Sequence, residues 1–410
     1  MEVTRLTNDF ATIAEAEAYM STEIDHPVQP QQTTVDDRLV FSASSRTLAD
    51  GRFTNIYDLS YRVGEVTPDI HVSDQLQGVY SFLEDTPQAI GTASGAFFYH
   101  ADSKEGRPRQ LALNLARFGG RVLSLPIASR EALVCMEGTL SARYLRAIGK
   151  LSLGDTLLTW SGSMTPYLSD CKVFGNGNIE ISRSLCEVNG SKRVVAERTR
   201  YTPPTNTRQV DIGFVADPAG GFEPKTISRD GGVDLFEHDV VLRRPDDGLY
   251  ESEEPHLEIL SIDELEVHQI QGAFSTGPLL MEQDLDTHPI NYDSSLGPVP
   301  AFREVAAARM AVYETTDGTV HVRVFDGRPG SKTFIGVTPR EVISIIKEEG
   351  DIQWGCFLDG GHTARVCMRN DGRVEGYGNA HYLKWPKQLG ERYSWALKQG
   401  RRTPSLITFH

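Results

Sequence analysis

The chain has 410 residues, and 41 Lys and Arg against 56 Asp and Glu give a formal net charge of −15. That sign excludes a nucleic-acid binder that must neutralise many phosphates, and it disfavours anionic membranes. A small anionic substrate stays open, because a local cluster of Arg can overcome a distant negative field that salt screens within about 8–10 Å. Hydrophobic residues at 39%, with 37 Gly and 21 Pro, exclude extended disorder and fit two or three structural units rich in turns.

In chain order, Thr12 followed by Glu15 predicts a helix start through a capping box. Residues 1–20 carry no basic segment followed by an apolar run, and no window approaches the ~18 apolar residues of a membrane span, so a cytoplasmic protein is expected. The polar stretch His26 to Asp37 reads as an exposed connection, and the short alternating runs from Arg38 to Val66 read as strands. Residues 90–165 continue as short apolar runs between Gly-rich turns, the pattern of a mixed sheet. From Tyr201 to Gly232, loops are expected around one strand at Val210 to Val215, and the acidic stretch Arg244 to Leu257 reads as a surface loop.

The C-terminal third is the most regular. Met310 to Glu314 and Thr319 to Phe325 flank Asp317-Gly318, a hairpin signal. Thr338-Pro339-Arg340-Glu341 supplies an N-cap, a Pro at the first helical position and a Glu three residues after the cap. Val342, Ile345 and Ile346 then form an apolar stripe, and Gly350 ends the helix. Strands follow at Trp354 to Leu358 and Thr363 to Met368, around Asp359-Gly360-Gly361. This order implies an α+β domain, with mixed β-sheets built from hairpins and a few packed helices.

Phosphate-loop, metalloprotease and nucleophile-elbow fingerprints do not occur in the sequence. Five cysteines without C-x-x-C spacing argue against a zinc ribbon and a disulfide framework. Asp359-Gly360-Gly361-His362-Thr363 places a carboxylate, an imidazole, a hydroxyl and two unshielded amides after an apolar strand. Such a set can approach an anion and exchange protons, although a plain hairpin turn would have the same composition.

Around it, Arg309-Met310-Ala311-Val312, Asp317-Gly318, Val324-Phe325-Asp326-Gly327-Arg328, Gly336-Val337-Thr338-Pro339-Arg340-Glu341 and Phe357-Leu358-Asp359-Gly360-Gly361-His362-Thr363 follow one another in order. This arrangement resembles the phosphodiester glycosidase family, which includes the uncovering enzyme. Ser94-Gly95-Ala96-Phe97-Phe98 and Ser275-Thr276-Gly277-Pro278-Leu279-Leu280 are similar to two further family segments. The sequence departs from the family pattern at Ser94 and Phe357, where the family has Asn, and at His362, where it has Gly.

The resemblance implies a catalytic domain over 86–390, with a loop-rich insertion near 201–257. An N-terminal extension of helix and strands over 1–85 and a C-terminal tail over 391–410 complete the expected division. It implies a hydrolase that cleaves a glycosyl-1-phosphodiester or related glycoside in a small soluble sugar-phosphate metabolite. Asp359, His362 and Asp326 would act on protons. Arg309 and Arg328 would hold phosphate, and Gly360, Gly361, Thr363, Ser94 and Thr276 would contact substrate. Glu341 is explained as a capping residue. No organic cofactor is implied. A divalent cation, Ca²⁺ or Mg²⁺, is compatible with the acidic group Asp284, Asp286 and His288, which equally reads as a solvated loop. Glycosyl transfer or elimination on a phosphate- or sugar-bearing intermediate, and carbohydrate binding without turnover, remain as alternatives. Partners other than the substrate are not expected: no nucleic acid and no membrane, with the oligomeric state open.

Overall fold

The computed structural model describes residues 25–96, 302–378 and 401–410 throughout, and between them residues 98–100, 110–112, 116–118, 121–124, 130–145, 147–153, 156–162, 172–175, 185–188, 191–194, 201–202, 204–205, 208–216, 222–234, 237–238, 240–246, 256–262 and 269–287. The helix expected at Thr12 and most of the acidic stretch after Arg244 lie outside the described residues. Strand dominates, and helices are few. Two compact units emerge: residues 1–98, 138–142 and 276–410, and residues 99–137 and 143–275.

The first unit contains β1 (Gln31–Val35), β2 (Leu39–Thr47), β3 (Phe53–Arg62), β4 (Pro68–Gln77), α1 (Val79–Asp85), β5 (Gly91–Ser94), α2 (Glu282–Thr287), β6 (Arg309–Thr315), β7 (Thr319–Asp326), α3 (Pro339–Glu349), β8 (Ile352–Leu358), β9 (Arg365–Asn370), β10 (Arg373–Gly378) and β11 (Thr403–Phe409). They form a six-stranded sheet in the order β1-β2-β3-β7-β6-β8 and a five-stranded sheet in the order β10-β9-β5-β11-β4. Every neighbouring pair is antiparallel.

Aromatic side chains stitch the two sheets face to face. Phe41 stacks on Tyr377 with ring centroids 4.1 Å apart, and Tyr61 lies 5.6 Å from Phe409. Helix α3 covers the outer face of the six-stranded sheet. Its Val342, Ile343, Ile345 and Ile346 pack with Tyr313 and Phe357, a burial of about 1.5–3 kcal/mol per large apolar side chain. Helix α1 covers the other sheet through Val79, Tyr80 and Leu83 against Cys367 and Leu406. The first unit is therefore a helix–sheet–sheet–helix sandwich.

The start of α3 follows from its sequence. Thr338 Oγ1 accepts the Glu341 N–H at 3.3 Å, and Glu341 Oε2 accepts the Thr338 N–H at 2.7 Å. Arg52 then donates to Glu341 at 2.6 Å, which commits this glutamate to structure. Just upstream, Gly336 has φ +103°, and a Cβ there would stand 2.3 Å from the Ala307 carbonyl, where the 307 and 337 backbones pair. Only glycine satisfies both demands.

One charged group is buried at the far end of α3. Asp58 Oδ2 accepts from His321 Nδ1 at 2.8 Å and from Arg323 Nη2 at 3.2 Å, while Arg323 Nη1 donates to Glu349 at 2.5 Å. Burial alone would raise the Asp58 pKa, but Arg323 and His321 outweigh it and hold the carboxyl at about 2.

Several expectations change. His26 to Asp37 is not only a connection: Gln31–Val35 is a strand paired with β2, because it ends in three consecutive β-branched residues, Thr33, Thr34 and Val35, and Asp36 and Asp37, at φ 51° and 55°, close a tight hairpin. Residues 403–409 are a fully buried strand between β4 and β5 rather than a tail, and residues 31–62 supply three strands of the six-stranded sheet, so the expected divisions at 85 and 390 do not match the units. Pro404 sits where the register with β4 shifts.

The second unit is also antiparallel. A seven-stranded sheet runs in the order 156–162, 147–153, 256–262, 222–228, 209–216, 240–245 and 172–175. Phe222–Ser228 is a strand within the stretch read as loops, with a bulge at Lys225, beside Pro224. Arg243 meets the buried Asp211 through two hydrogen bonds, at 2.6 and 2.8 Å.

Candidate functional site

Antiparallel strands bring their alternate ends to one rim. β8 ends at Leu358, β5 ends at Ser94, β6 begins at Arg309 and β11 begins at Thr403, and backbone bonds tie these ends together. The Asp359 N–H donates to the Gly95 carbonyl at 3.1 Å, and the Gly95 N–H donates to the Ser405 carbonyl at 3.1 Å. The Ala96 N–H donates to Ser405 Oγ at 2.7 Å. On the other side, the Gly361 N–H donates to the Ala308 carbonyl at 2.7 Å. A Cβ at Gly360 would lie 2.7 Å from that same oxygen, so the turn can lie against β6 only with glycine there.

From the second glycine on, Gly361–Thr363 makes one 3₁₀ turn, closed by the Thr363 N–H donating to the Gly360 carbonyl at 3.2 Å. Asp359 is half-buried at its base. Desolvation raises its pKa to about 7, against a hydrogen bond from the Thr363 hydroxyl, the positive charge of Arg401, the Gly360 N–H and Arg309. A carboxyl so placed is divided between its acid and its carboxylate form near neutral pH, which suits a proton-transfer group.

Arg309 is buried beside it, and desolvation lowers its pKa to about 10 in spite of Asp359. Its guanidinium donates to the carbonyls of Val337 at 3.4 Å, Phe302 at 3.1 Å and Val305, and lies 4.3 Å over the Phe302 ring. Much of its donor capacity therefore orders the chain leading into β6. His362 is half-buried on the 3₁₀ turn.

The remaining expected residues divide. Ser94 is fully buried, and its hydroxyl contacts Met310 Sδ at 3.1 Å and accepts the Arg365 N–H at 3.3 Å, inside the sandwich. Thr276 is buried with Oγ1 on the Gly277 carbonyl at 3.1 Å, and Gly277 donates to the Phe357 carbonyl at 2.8 Å, two residues before Asp359. Asp326 ends β7 with Oδ1 on the Gly327 N–H at 2.8 Å. β6 separates β7 from β8, so Asp326 and Asp359 end strands two ladder steps apart, about 9–10 Å. Arg328 meets Asp25 through both Nε, at 2.8 Å, and Nη2.

Asp284 Oδ2 accepts the Leu279 N–H at 2.6 Å, and Asp286 pairs with Arg340 at 2.6 Å, while His288 lies outside the described residues. Among the described residues, no three His, Cys, Asp or Glu side chains gather as metal ligands. The sequence reading missed Arg401, because the segment containing it was read as a tail. The apolar run Leu406 to Phe409 was the signal that a strand, and with it a neighbour of Asp359, lay there.

No protein-family model and no curated protein matches the chain. Solved structures do resemble it. A hypothetical protein from Synechocystis superimposes with a TM-score of 0.56 at 14% identity, over 93% of this chain and 64% of that one. This chain thus spans less than two thirds of that protein's length. A protein of Burkholderia pseudomallei, named as a candidate exported protein, superimposes with a TM-score of 0.54 at 14% identity, over 88% of this chain and 74% of that one. At these identities the likeness establishes a shared fold. The catalytic domain of zebrafish N-acetylglucosamine-1-phosphodiester alpha-N-acetylglucosaminidase, auto-inhibited by its pro-peptide, has a TM-score of 0.36 at 11% identity, over 93% of this chain and 87% of that one. A superposition that weak carries no argument. No helix among the described residues is long and apolar enough to cross a membrane.

Proposed function

We propose that the chain is a hydrolase that splits the bond between an anomeric carbon and a phosphate oxygen in a small sugar phosphodiester. The observation that supports this most is Asp359, a carboxyl with a pKa raised to about 7, at the end of β8 with Arg309 and Arg401 in electrostatic reach. In this reading the anomeric C–O bond breaks with its electrons going to the phosphate oxygen. Asp359 gives that oxygen a proton, and water adds to the anomeric carbon and loses its proton to His362. Sugar and phosphate monoester leave, and atoms and charge balance without a cofactor.

The assay is release of free sugar from a glycosyl-1-phosphodiester. With Asp359 as the acid, kcat/KM falls above about pH 7, and Asp359→Asn loses at least 100-fold. An Asp359→Asn variant as active as the parent overturns the assignment. One observation favours carbohydrate binding without turnover: the Ser94 hydroxyl is spent inside the sandwich, so the position that resembles a family amide offers the substrate nothing. Sugar phosphodiester bound by the parent and never cleaved, under any pH, would select that second reading.

A further inference from the structure

The start of β11 departs from a regular ladder, and the departure falls where the Asp359 turn is held. Thr67 and His410 exchange both backbone hydrogen bonds, at 3.0 and 3.1 Å. Along β11 the even-numbered residues therefore turn their backbone polar groups to β4, and the odd-numbered ones turn theirs to β5. Ser405 faces Gly95, one step beyond the pair of Leu406 and Ser94. A regular pair would exchange two bonds here. One forms, from the Gly95 N–H to the Ser405 carbonyl at 3.1 Å. The Ser405 N–H instead meets Thr403 Oγ1 at 3.5 Å, and that hydroxyl donates to the Ser405 carbonyl at 3.2 Å. The Gly95 carbonyl is thereby left to the Asp359 N–H, which donates to it at 3.1 Å.

Ser405 has a second hold on the same segment. Its Oγ accepts the Ala96 N–H at 2.7 Å, so two successive amides, of Gly95 and Ala96, end on one residue. In an extended strand successive amides point to opposite sides, so this pair of bonds bends the chain out of β5 directly after Ser94. Thr403, Ser405 and Ala96 are fully buried, and solvent does not compete for either hydroxyl.

We infer that Ser405 is a positioning residue for Asp359, acting through the Gly95 carbonyl, with Thr403 holding the Ser405 peptide in place. The inference deepens the proposed reaction by naming what sets the acid in position, and it rests on that reading for the role of Asp359. Ser405 fixes the backbone that anchors the base of the Asp359 turn. Without its hydroxyl the bend at Gly95 and Ala96 loosens, the turn is held less closely to the rim, and water reaches the carboxyl.

The test follows the Asp359 carboxyl by carbon-13 NMR against pH in the full chain and in Ser405→Ala, Thr403→Val and Thr92→Val. Thr92→Val is the control: its hydroxyl is also fully buried and donates to a β11 carbonyl, that of Ile407 at 3.0 Å, away from Gly95. The expected midpoint lies near pH 7 in the parent and in Thr92→Val. It should be lower by at least about half a pH unit in Ser405→Ala and in Thr403→Val. Thr403→Val keeps the side-chain shape and guards against a Ser405→Ala that fails to fold. A midpoint unmoved in either folded variant overturns the inference, and so does an equal fall in Thr92→Val, which would mark a merely structural role. A parent whose Asp359 titrates as an ordinary carboxylate overturns it too, because water then reaches the turn already. Release of sugar from a glycosyl-1-phosphodiester is read separately. A midpoint that depends on Ser405 without turnover sinks the reaction and leaves the positioning. Turnover whose falling limb ignores Ser405→Ala sinks the positioning and leaves the reaction.

Discussion

Replacing Asp359 by Asn separates a titrating carboxyl from an uncharged group of the same shape. In the folded chain Asp359 has its pKa raised from 3.8 to about 7, with burial the main cause. For a group raised on folding, the stabilisation is complete below the unfolded value and is lost as pH climbs to the folded one. The unfolded chain therefore ionises first, and between about pH 4 and pH 7 the parent loses roughly 1.4 kcal/mol per pH unit, about 4 kcal/mol in all, that Asp359→Asn does not lose. Any constant cost of the amide shifts both ends of the profile equally and leaves the slope. Native-state hydrogen exchange at the Phe357 and Asp359 amides reports opening of the first unit alone. Comparing parent and variant at each pH cancels the intrinsic exchange chemistry. The ratio of protection, variant over parent, should grow by about three decades from about pH 4 to pH 8. A ratio independent of pH would refute the argument that burial holds the proton. A falling ratio would mean that Arg309, Arg401 and Thr363 dominate and hold the carboxyl below its value in the unfolded chain.

Thr363→Val removes the hydroxyl that steadies the ionised form of Asp359, so the falling limb of the pH–rate profile should move up by about one unit; a downward move contradicts that bond. Gly336→Ala puts a methyl 2.3 Å from the Ala307 carbonyl at φ +103°, and should cost at least about 3 kcal/mol in urea unfolding. Gly330→Ala, at φ +92° with open space around it, should cost only about 1 kcal/mol, and equal losses would refute the close-contact argument. Asp58→Asn leaves Arg323 buried with a single carboxylate partner and should cost about 3–5 kcal/mol at neutral pH. Because Asp58 is depressed from 3.8 to about 2, part of that contribution is present above pH 3.8 and fades as pH falls through 2, so the gap between parent and variant should narrow by about 2 kcal/mol in acid.

What the sequence made legible is what local chemistry dictates. The capping box of α3 was readable from Thr338 to Glu341, and the hairpin between β6 and β7 from Asp317-Gly318, because each is specified within a few residues. The Asp359-Gly360-Gly361 turn was also legible. Its surroundings were not. Ser94 read as a site hydroxyl, yet whether a strand residue faces a ligand or an opposing sheet depends on a partner more than 200 residues away, here Met310. Arg328 read as a phosphate holder because nothing adjacent in sequence announces Asp25. Arg401 was invisible for the same reason, because residues 391–410 read as a tail and nothing adjacent in sequence announces Asp359.

The place of β11 has a consequence for the order in which the molecule forms. Residues 403–409 fill the gap between β4, at 68–77, and β5, at 91–94, so each of those pairings spans more than 300 residues of chain. During synthesis the five-stranded sheet has an open slot until nearly the whole of this sequence has been made, exposing the unpaired edges of β4 and β5 to other chains. Residues 99–275, emerging in between, have most of their own partners already to hand. Folding in the cell is then staged, with the second unit able to form first and the rim that carries Asp359 completed last.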